Sequence, residues 1–427
     1  MKKIAYQNVK GTQDYLPNAE VIRRSIRRTL EDTFIQYGCK PLETPILNYT
    51  ELLASKYGGG AEILKEMYTL TDRGERDLAL RYDLTIPFAK VVAMNPTLRM
   101  PFKRYEIGKV FRDGPIKAGR FREFTQCDVD IVGVESQVAE AELMMMAVDA
   151  FRKLDLEVVI QYNNRKLLIG MLEVFNTPVD KINSVVLILD KLEKVGEAAV
   201  ISELMEQGLS STTVQSINRF FNDKKNTRFA YFAPFAKQNQ LVQQGLQELQ
   251  ELEAYLAYLD VKDQCVFQPF LARGLEIYTG TIYEVFLADK TIKSSIGSGG
   301  RYDYAIGGLM GTGEKFSTVG ISFGLDVIYT AIASKENKQE ESTVDFYIIP
   351  INTWKESLFA AATLRKQGFT VELELGNKKL GKALDRANKE KIQNVIIIGE
   401  EEVKNNQWKI KNMITGEERE EYFLFNK

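Results

Sequence analysis

Residues 120–131 read RFREFTQCDVDI, a segment in which polar and apolar side chains alternate along much of its length. A β-strand points successive side chains to opposite faces. One face would therefore carry a set that is polar apart from one aromatic ring: Arg120, Arg122, Phe124, Gln126, Asp128 and Asp130. The opposite set, from Phe121 to Ile131, is mainly apolar and suits a core. The pattern predicts either a binding surface on a sheet or a solvated edge strand.

The residues before this segment predict its partner strand. RYEIGKVFR, at 104–112, ends in Arg112, and the loop DGPIKAG leads back to Arg120. An antiparallel hairpin brings these two arginines close together on the polar face. Neighbouring guanidinium groups repel each other unless an anion binds between them, and Phe124 offers a surface on which a base can stack. The hairpin therefore predicts a nucleoside triphosphate site on a sheet.

A second segment, ALRYDLT at 79–85, combines similar residue types. A strand here would place Arg81, Asp83 and Thr85 on one face. A carboxylate together with a hydroxyl can hold a substrate amine, and a solvated strand edge is the alternative.

A third segment, LARGLEIYTG at 271–280, sets Arg273 beside Gly274, and its pattern places Tyr278 at a strand edge. An arginine next to a glycine turn can hold a carboxylate or a phosphate at close range. Taken alone, the segment also fits a surface turn with a solvated arginine. The partners in the other two segments favour the binding interpretation.

Composition excludes several classes of site. The chain of 427 residues has no histidine, which rules out histidine bases, histidine metal ligands and Ser-His-Asp chemistry. Cys39, Cys127 and Cys265 are far apart, so we predict no disulfide framework and no metal site, as in a reducing cytoplasm. The 56 basic and 58 acidic residues nearly balance, so no overall charge attracts the chain to nucleic acid or to a membrane. No apolar run reaches the roughly 20 residues of a membrane span, and we expect no membrane association.

Patterning divides the chain into two domains. We predict a core at 1–332 with a helical insertion at about 165–260, a polar linker at 333–343, and an α/β domain with a largely parallel sheet at 344–427. An amphipathic helix is predicted over 18–37. Its expected buried residues include Val21 and Ile26, and its expected solvated arginines are Arg23, Arg24, Arg27 and Arg28. A basic face in the last domain is either solvated or in contact with RNA: Lys378, Lys382, Arg386 and Lys389.

Five segments together resemble the histidyl-tRNA synthetases, which are class II aminoacyl-tRNA synthetases. They are KGTQDYLP at 10–17, RYDLTIPFAK at 81–90, the hairpin through GRFREFTQCDVDIVG, LARGLEIYTG, and GGRYD at 299–303. The similarity runs along nearly the whole chain. It implies an α+β core, with an antiparallel sheet flanked by helices, and a C-terminal domain like the family's anticodon-binding domain. Pro45 matches the proline of the first class II motif, which implies a homodimer.

The resemblance also implies roles for individual residues. Those matching Asp83 and Thr85 hold the α-amino group of histidine, and Gln126, Asp130 and Tyr278 line the amino-acid pocket. The residue matching Arg112 binds the substrate carboxylate and the α-phosphate of ATP, and Arg273 stabilises the transferring phosphoryl group. Phe124 resembles the ring under adenine, and Arg120 completes the ATP site. The implied substrates are L-histidine, ATP with Mg²⁺ and tRNA(His), without a prosthetic group.

Three positions depart from the family pattern. Val327 stands where the third class II motif has an arginine, Gly114 where the second motif has a glutamate, and Ile277 where one of two tyrosines is expected. We expect Asp113 to replace the missing glutamate in part. Loss of one preorganised charge beside a developing anion typically costs about 3–4 kcal/mol.

Two hypotheses follow from these matches and departures. The first is an active histidine–tRNA ligase, and the second is a non-catalytic paralogue that binds histidine and regulates another molecule. The retained C-terminal domain favours the ligase, whereas Val327 favours the regulator. The missing histidines suggest a second synthetase that can be translated when histidyl-tRNA is scarce, beside a housekeeping enzyme.

Overall fold

An eight-stranded, mainly antiparallel sheet lies in the larger of two compact units, which comprise residues 1–335 and 336–427. The computed structural model describes residues 6–55, 64–116, 119–273, 277–335, 342–376 and 378–425. Most of the predicted linker, and Gly274 of the third segment, lie outside these ranges. Within them, none of the helices has both the length and the apolar character needed to cross a membrane.

The large sheet has the strand order β1-β5-β6-β11-β10-β9-β7-β8. Only the outer pairs β1–β5 and β7–β8 are parallel. Its strands are β1 (Lys40–Pro41), β5 (Phe102–Phe111), β6 (Glu123–Val132), β7 (Val158–Asn164), β8 (Cys265–Phe267), β9 (Thr281–Leu287), β10 (Gly297–Arg301) and β11 (Thr318–Gly324). A small sheet of order β2-β4-β3 is formed by β2 (Leu47–Tyr49), β3 (Thr69–Thr71) and β4 (Asp77–Leu80).

Along the chain, the helices of this unit lie before, between and after the strands of the large sheet. Those outside the insertion are α1 (Pro17–Gln36), α2 (Thr50–Leu53), α3 (Thr85–Met94), α4 (Val138–Lys153), α12 (Ala305–Leu309) and α13 (Leu325–Lys335). The stretch between β7 and β8 is mostly helical, with α5 (Arg165–Val174), α6 (Ile182–Leu189), α7 (Leu192–Val195), α8 (Glu197–Glu206), α9 (Ser211–Asn222), α10 (Ala233–Ala236) and α11 (Gln240–Tyr258). Short 3₁₀ turns lie at Val179–Lys181, Lys224–Thr227, Phe229–Tyr231 and Lys262–Gln264.

The main core covers one face of the large sheet. Odd-numbered side chains of β6, such as Cys127 and Val129, pack with buried residues of α1 and α4. Phe34 of α1 stacks on Phe323 of β11 with ring centroids 6.1 Å apart. Met144 and Met146 of α4 are fully buried in this core. Because this face is apolar, the even-numbered residues of β6 are presented to the opposite face.

The smaller unit contains a five-stranded sheet of order β13-β12-β14-β15-β16. Its strands are β12 (Phe346–Pro350), β13 (Val371–Leu373), β14 (Asn394–Ile398), β15 (Gln407–Asn412) and β16 (Glu418–Tyr422), and its helices are α14 (Trp354–Lys366), α15 (Leu380–Lys389) and α16 (Glu400–Lys404). The first three strands are parallel, as predicted. The antiparallel hairpin β15–β16 was not predicted. On the basic face, Arg386 is paired with Glu372 and with Glu390.

Several local predictions are wrong. The strand of the first segment begins at Glu123, and β6 lies in the middle of the sheet, which excludes the edge-strand alternative. β4 ends at Leu80, so Arg81 and Thr85 do not share a strand face. Arg81 is buried instead, 2.8 Å from Glu106, because that carboxylate offsets its charge.

The first helix also differs from its prediction at two positions. Val21 is 46% exposed, whereas Arg23 is buried. Arg23 Nη1 lies 2.5 Å from Asp326 Oδ1, and its guanidinium stacks over the Tyr15 ring at 3.6 Å. Asp326 also accepts hydrogen bonds from Tyr15 Oη at 2.6 Å and from the Thr125 backbone N–H at 2.7 Å. This carboxylate therefore joins the N-terminal segment to β6 and α13.

We predict that Arg23→Met destabilises the protein by about 3–5 kcal/mol, because it leaves the buried Asp326 carboxylate without its cation. The matched control is Arg24→Met, since the Arg24 side chain is 69% exposed in its pair with Glu20. The control should change stability by less than about 1 kcal/mol. Thermal unfolding of both variants provides the comparison, and equal shifts in melting temperature would contradict the prediction.

Candidate active site

A row of polar side chains crosses the open face of the large sheet. Strand register sets each of its members directly opposite the next: Gln161, Glu284, Ser298, Ser322, Asp128 and Glu106 on β7, β9, β10, β11, β6 and β5. Directly opposite residues share one face of a sheet. With strands about 4.8 Å apart, Glu284 and Asp128 are separated by about 14 Å along the row. Such a span suits a ligand of several chemical groups.

Arg104 anchors one end of this row. It is fully buried, and its Nη2 lies 2.6 Å from Asp130 Oδ2 and donates to the Leu84 carbonyl at 3.1 Å. Its guanidinium also packs over the Phe88 ring at 4.4 Å. Because Leu84 directly precedes α3, Arg104 fixes the start of that helix against the sheet.

Asp130 is held between Arg104 and the hydroxyl of Tyr302, which donates to Oδ1. A Cβ atom at Gly320, opposite Asp130 on β11, would come within 1.9 Å of the same oxygen, so only glycine fits there. Burial raises the pKa of Asp130 and outweighs the opposing effect of Arg104. Asp130 thus reaches the site, but its carboxylate already has two partners.

Asp128 is the most strongly perturbed carboxyl of the row. Burial raises its pKa to about 8, Arg104 acts against this rise, and Asp130 adds to it. In the part of the chain that the structure describes, its Oδ1 has no hydrogen-bond partner. Ser322 Oγ accepts from Gln126 Nε2 at 2.7 Å, so the predicted site residue Gln126 lies beside Asp128. Strand periodicity predicts Asp128 on the polar face, but the family resemblance implies no role for it.

Asp83 lies just before the first turn of α3. Its Oδ1 accepts from the Ile86 backbone N–H at 3.2 Å. Burial raises its pKa to about 6, and Arg112 opposes the rise. Thr85 is the first residue of α3, so Asp83 and Thr85 lie together at a helix start, not along a strand. The prediction that these two residues share a strand face is therefore wrong.

Arg112 is held by the backbone on both sides. Its Nε donates to the Tyr82 carbonyl at 2.9 Å, and its backbone N–H donates to the Arg122 carbonyl at 2.8 Å. Its guanidinium lies 5.2 Å from the centre of the Phe124 ring. Burial lowers the pKa of Arg112, Asp83 raises it, and Arg120 lowers it. Arg112 is thus a cation with a fixed position, between a carboxylate and an aromatic ring.

Arg120 is more exposed than Arg112. Its Nη2 lies 3.4 Å from Glu66 Oε1 and 3.5 Å from Oε2. The backbone of the hairpin pairs Arg112 with Arg122. The charge of Arg120 lowers the pKa of Arg112.

Arg273 marks the other end of the row, where its Nη1 forms an ion pair with Glu284. Tyr278 lies beside it, with the guanidinium carbon 5.9 Å from the ring centre. Tyr278 precedes β9, so its predicted place at a strand edge is wrong. The pKa of Arg273 is raised: burial lowers it, but Tyr278 and Glu284 raise it more. Arg273 therefore stays positively charged.

The described residues thus form two clusters on one face. One contains Asp83, Arg112 and Phe124, the other Arg273 and Tyr278, and the polar row lies between them. Cations at both ends can neutralise a carboxylate or phosphates, and the carboxylates can accept from amine or imidazole N–H groups. Such a surface suits a zwitterionic substrate joined to a phosphate.

Comparison with protein families gives two matches. The family described as "Histidyl-tRNA synthetase" matches residues 11–328, and the family described as "Anticodon binding domain" matches residues 345–422. The first match covers every residue named in the two clusters and the polar row.

Individual proteins are similar to this chain over nearly its whole length. "Histidine--tRNA ligase 2" of Shouchella clausii is 60% identical over 425 residues, with both chains fully covered. A crystal structure of histidyl-tRNA synthetase from Nostoc sp. PCC 7120 is 29% identical, has a TM-score of 0.84, and covers 98% of this chain and 97% of its own. The structure titled "ATP phosphoribosyltransferase regulatory subunit/histidyl-tRNA synthetase" from Bacillus halodurans C shares the fold at 18% identity, with a TM-score of 0.76, 93% coverage of this chain and 99% of its own.

We predict that Asp128→Asn stabilises the protein relative to wild type as pH rises. Between about pH 4 and pH 8 the folded protein keeps a proton that the unfolded chain loses, so stability falls with pH by at most about 1.4 kcal/mol per unit. Asparagine has no such proton. The melting temperature of Asp128→Asn should therefore be close to that of wild type at pH 5 and higher than that of wild type at pH 8.

Asp113→Asn is the control for this pH series, because Asp113 belongs to the same hairpin region but its side chain is 46% exposed. The melting temperatures of both variants are compared with that of wild type over the same pH range. A pH-independent difference for Asp128→Asn would contradict a raised pKa at that position.

Proposed function

We propose that this chain, which belongs to the histidyl-tRNA synthetase family, is an active histidine–tRNA ligase. It would join L-histidine to ATP, release pyrophosphate, and pass the histidyl group from the adenylate to tRNA(His). The observation that carries this proposal is the position of Arg112, fixed by the Tyr82 carbonyl between Asp83 and the Phe124 ring. One cation there can contact both the substrate carboxylate and the α-phosphate.

The amino acid would bind along the polar row. Asp83, with Thr85 beside it, would accept from the α-ammonium group. Gln126, Asp130 and Tyr278 would line the space for the imidazole ring. Asp130 would act within its fixed arrangement with Arg104 and Tyr302, so its orientation is set before the substrate binds.

The nucleotide would bind at the hairpin. Adenine would stack on Phe124, and Arg112 and Arg120 would face the phosphates, with Mg²⁺ entering as part of the ATP substrate. The histidine carboxylate is itself the nucleophile: its oxygen bonds to the α-phosphorus as the bond to the pyrophosphate oxygen breaks. Arg112 and Arg273 would offset the charge that develops, so the step needs no protein histidine.

The smaller unit supports the transfer half of this proposal, because its sequence matches an anticodon-binding domain. We also propose that the protein works as a homodimer in the cytoplasm. Pro45, in the first class II motif, motivates the dimer.

One observation favours the non-catalytic alternative. Val327 is half-buried, and its Cγ2 would lie 3.3 Å from a Cβ atom at Gly119, at the end of the ATP hairpin. Position 327 therefore supplies an apolar contact in place of a charge. A histidine-binding regulator would keep the amino-acid half of the site and lose ATP activation.

We predict histidine-dependent exchange of pyrophosphate into ATP by the wild-type protein. Val327→Arg, tested beside it, should change the exchange rate by less than about tenfold if the wild-type site is complete. An inactive wild type that still binds histidine in calorimetry, together with a variant that gains about 10²–10³-fold, would contradict the ligase proposal and support the regulator.

We propose further that the chain is a second synthetase suited to histidine scarcity, because a chain with 0 histidines needs no histidyl-tRNA for its own synthesis. Its abundance should rise several-fold when the source cell is limited for histidine, measured against a housekeeping synthetase. Constant abundance, in a cell without another such enzyme, would contradict this idea.

A further inference from the structure

The second class II motif of this chain lacks its acidic residue, and the structure shows another carboxylate in that space. Gly114 is buried. A Cβ atom added to it would lie 2.7 Å from Glu66 Oε1, 2.9 Å from Glu66 Cδ and 3.0 Å from Oε2. The Glu66 carboxylate therefore occupies the volume into which a side chain at position 114 would project. Only glycine at 114 leaves this volume free.

The backbone fixes Glu66 at this place. The Asp113 N–H donates to the Glu66 carbonyl at 2.7 Å, so the segment before β3 runs beside the hairpin. The Glu66 side chain is 23% exposed, compared with 51% for Arg120. An ion pair between flexible surface side chains contributes little to stability. The Glu66–Arg120 pair differs, because the Glu66 backbone is held by the hydrogen bond from Asp113.

Asp113, the substitute expected from the sequence, points elsewhere. Its Oδ1 lies 2.8 Å from Arg122 Nη1, and Arg122 Nε donates to the Gly114 carbonyl at 3.3 Å. Asp113 therefore holds the hairpin loop through Arg122. It does not supply a carboxylate beside Arg120.

Glu66 interacts with both cations of the proposed nucleotide site, through a side-chain contact with Arg120 and through its charge with Arg112. Both of its oxygens lie within 3.5 Å of Arg120 Nη2. It favours the charged form of Arg112, whereas Arg120 disfavours that form. Without this carboxylate, the repulsion between the two guanidinium groups would no longer be offset.

We propose that Glu66 is a positioning residue of the ATP site, which supplies from another segment the carboxylate that position 114 lacks and holds Arg120 ready for the nucleotide. Phosphate oxygens then replace the carboxylate as partners of Arg120. This inference rests on the proposed function, since it assumes that ATP binds at the hairpin.

The test moves the carboxylate between the two positions. Glu66→Gln and Glu66→Ala should raise the KM for ATP about tenfold in pyrophosphate exchange and leave the KM for histidine unchanged. Gly114→Glu, added to the Glu66→Ala variant, should restore the KM for ATP to within about threefold of wild type. In the wild-type background the same substitution should raise the KM, because two carboxylates then compete for one volume.

Glu123→Gln is the matched control, because Glu123 forms an exposed ion pair with Lys109 on the same hairpin. It should leave both KM values unchanged. Melting temperatures of all variants identify any loss of folding. An unchanged KM for ATP in both Glu66 variants, or no restoration in a folded double variant, would overturn the inference.

A second measurement separates this inference from the proposed function. Calorimetric titration with a non-hydrolysable ATP analogue reports binding without catalysis. A wild-type protein that binds the analogue but performs no exchange would refute the ligase proposal. In that case we expect the Glu66 variants to bind the analogue about tenfold more weakly than wild type. Adding Gly114→Glu to the Glu66→Ala variant should restore binding. A wild-type protein that does not bind the analogue would overturn both.

Discussion

The buried contact between Arg104 and Asp130 is the interaction on which the rest of the site depends. Two charges are withdrawn from water here, and the loss of either partner would typically cost about 3–5 kcal/mol. The contact is possible because register sets Arg104 opposite Asp130 across β5 and β6, and because Gly320 on β11 leaves room for the carboxylate. A one-residue shift of β6 would turn Asp130 towards the apolar core and remove it from Arg104.

The same register determines what the open face offers to a ligand. It aligns Asp128 with Ser322 and continues the polar row to Glu284, where Arg273 is held. Arg104 also fixes the start of α3, and thereby Asp83, through the Leu84 carbonyl. The proposed amino-acid part of the site is therefore built on the sheet. The proposed nucleotide part lies on the hairpin beyond it, where Arg120 is more exposed and is in contact with Glu66.

Strand periodicity was sufficient to predict the two faces of β6, because side chains alternate between the two faces of a strand whichever strands lie beside it. It could not predict that β6 is a central strand, which depends on pairing with β11, a strand that comes much later in the chain. The burial of Arg23 was missed for the same reason, since its partner Asp326 is 303 residues away. The role of Gly114 was also hidden, because a glycine that makes room for Glu66 looks the same in sequence as a loop glycine.

We propose that the polar row, between Arg112 and Arg273, is the floor of an amino-acid-activating site. A crystal structure with a non-hydrolysable histidyl-adenylate analogue tests it most directly. We expect the amino group within hydrogen-bond distance of Asp83, the phosphate beside Arg112, and adenine stacked on Phe124. An analogue bound away from the row, or in the reverse orientation with adenine at Tyr278, would contradict it.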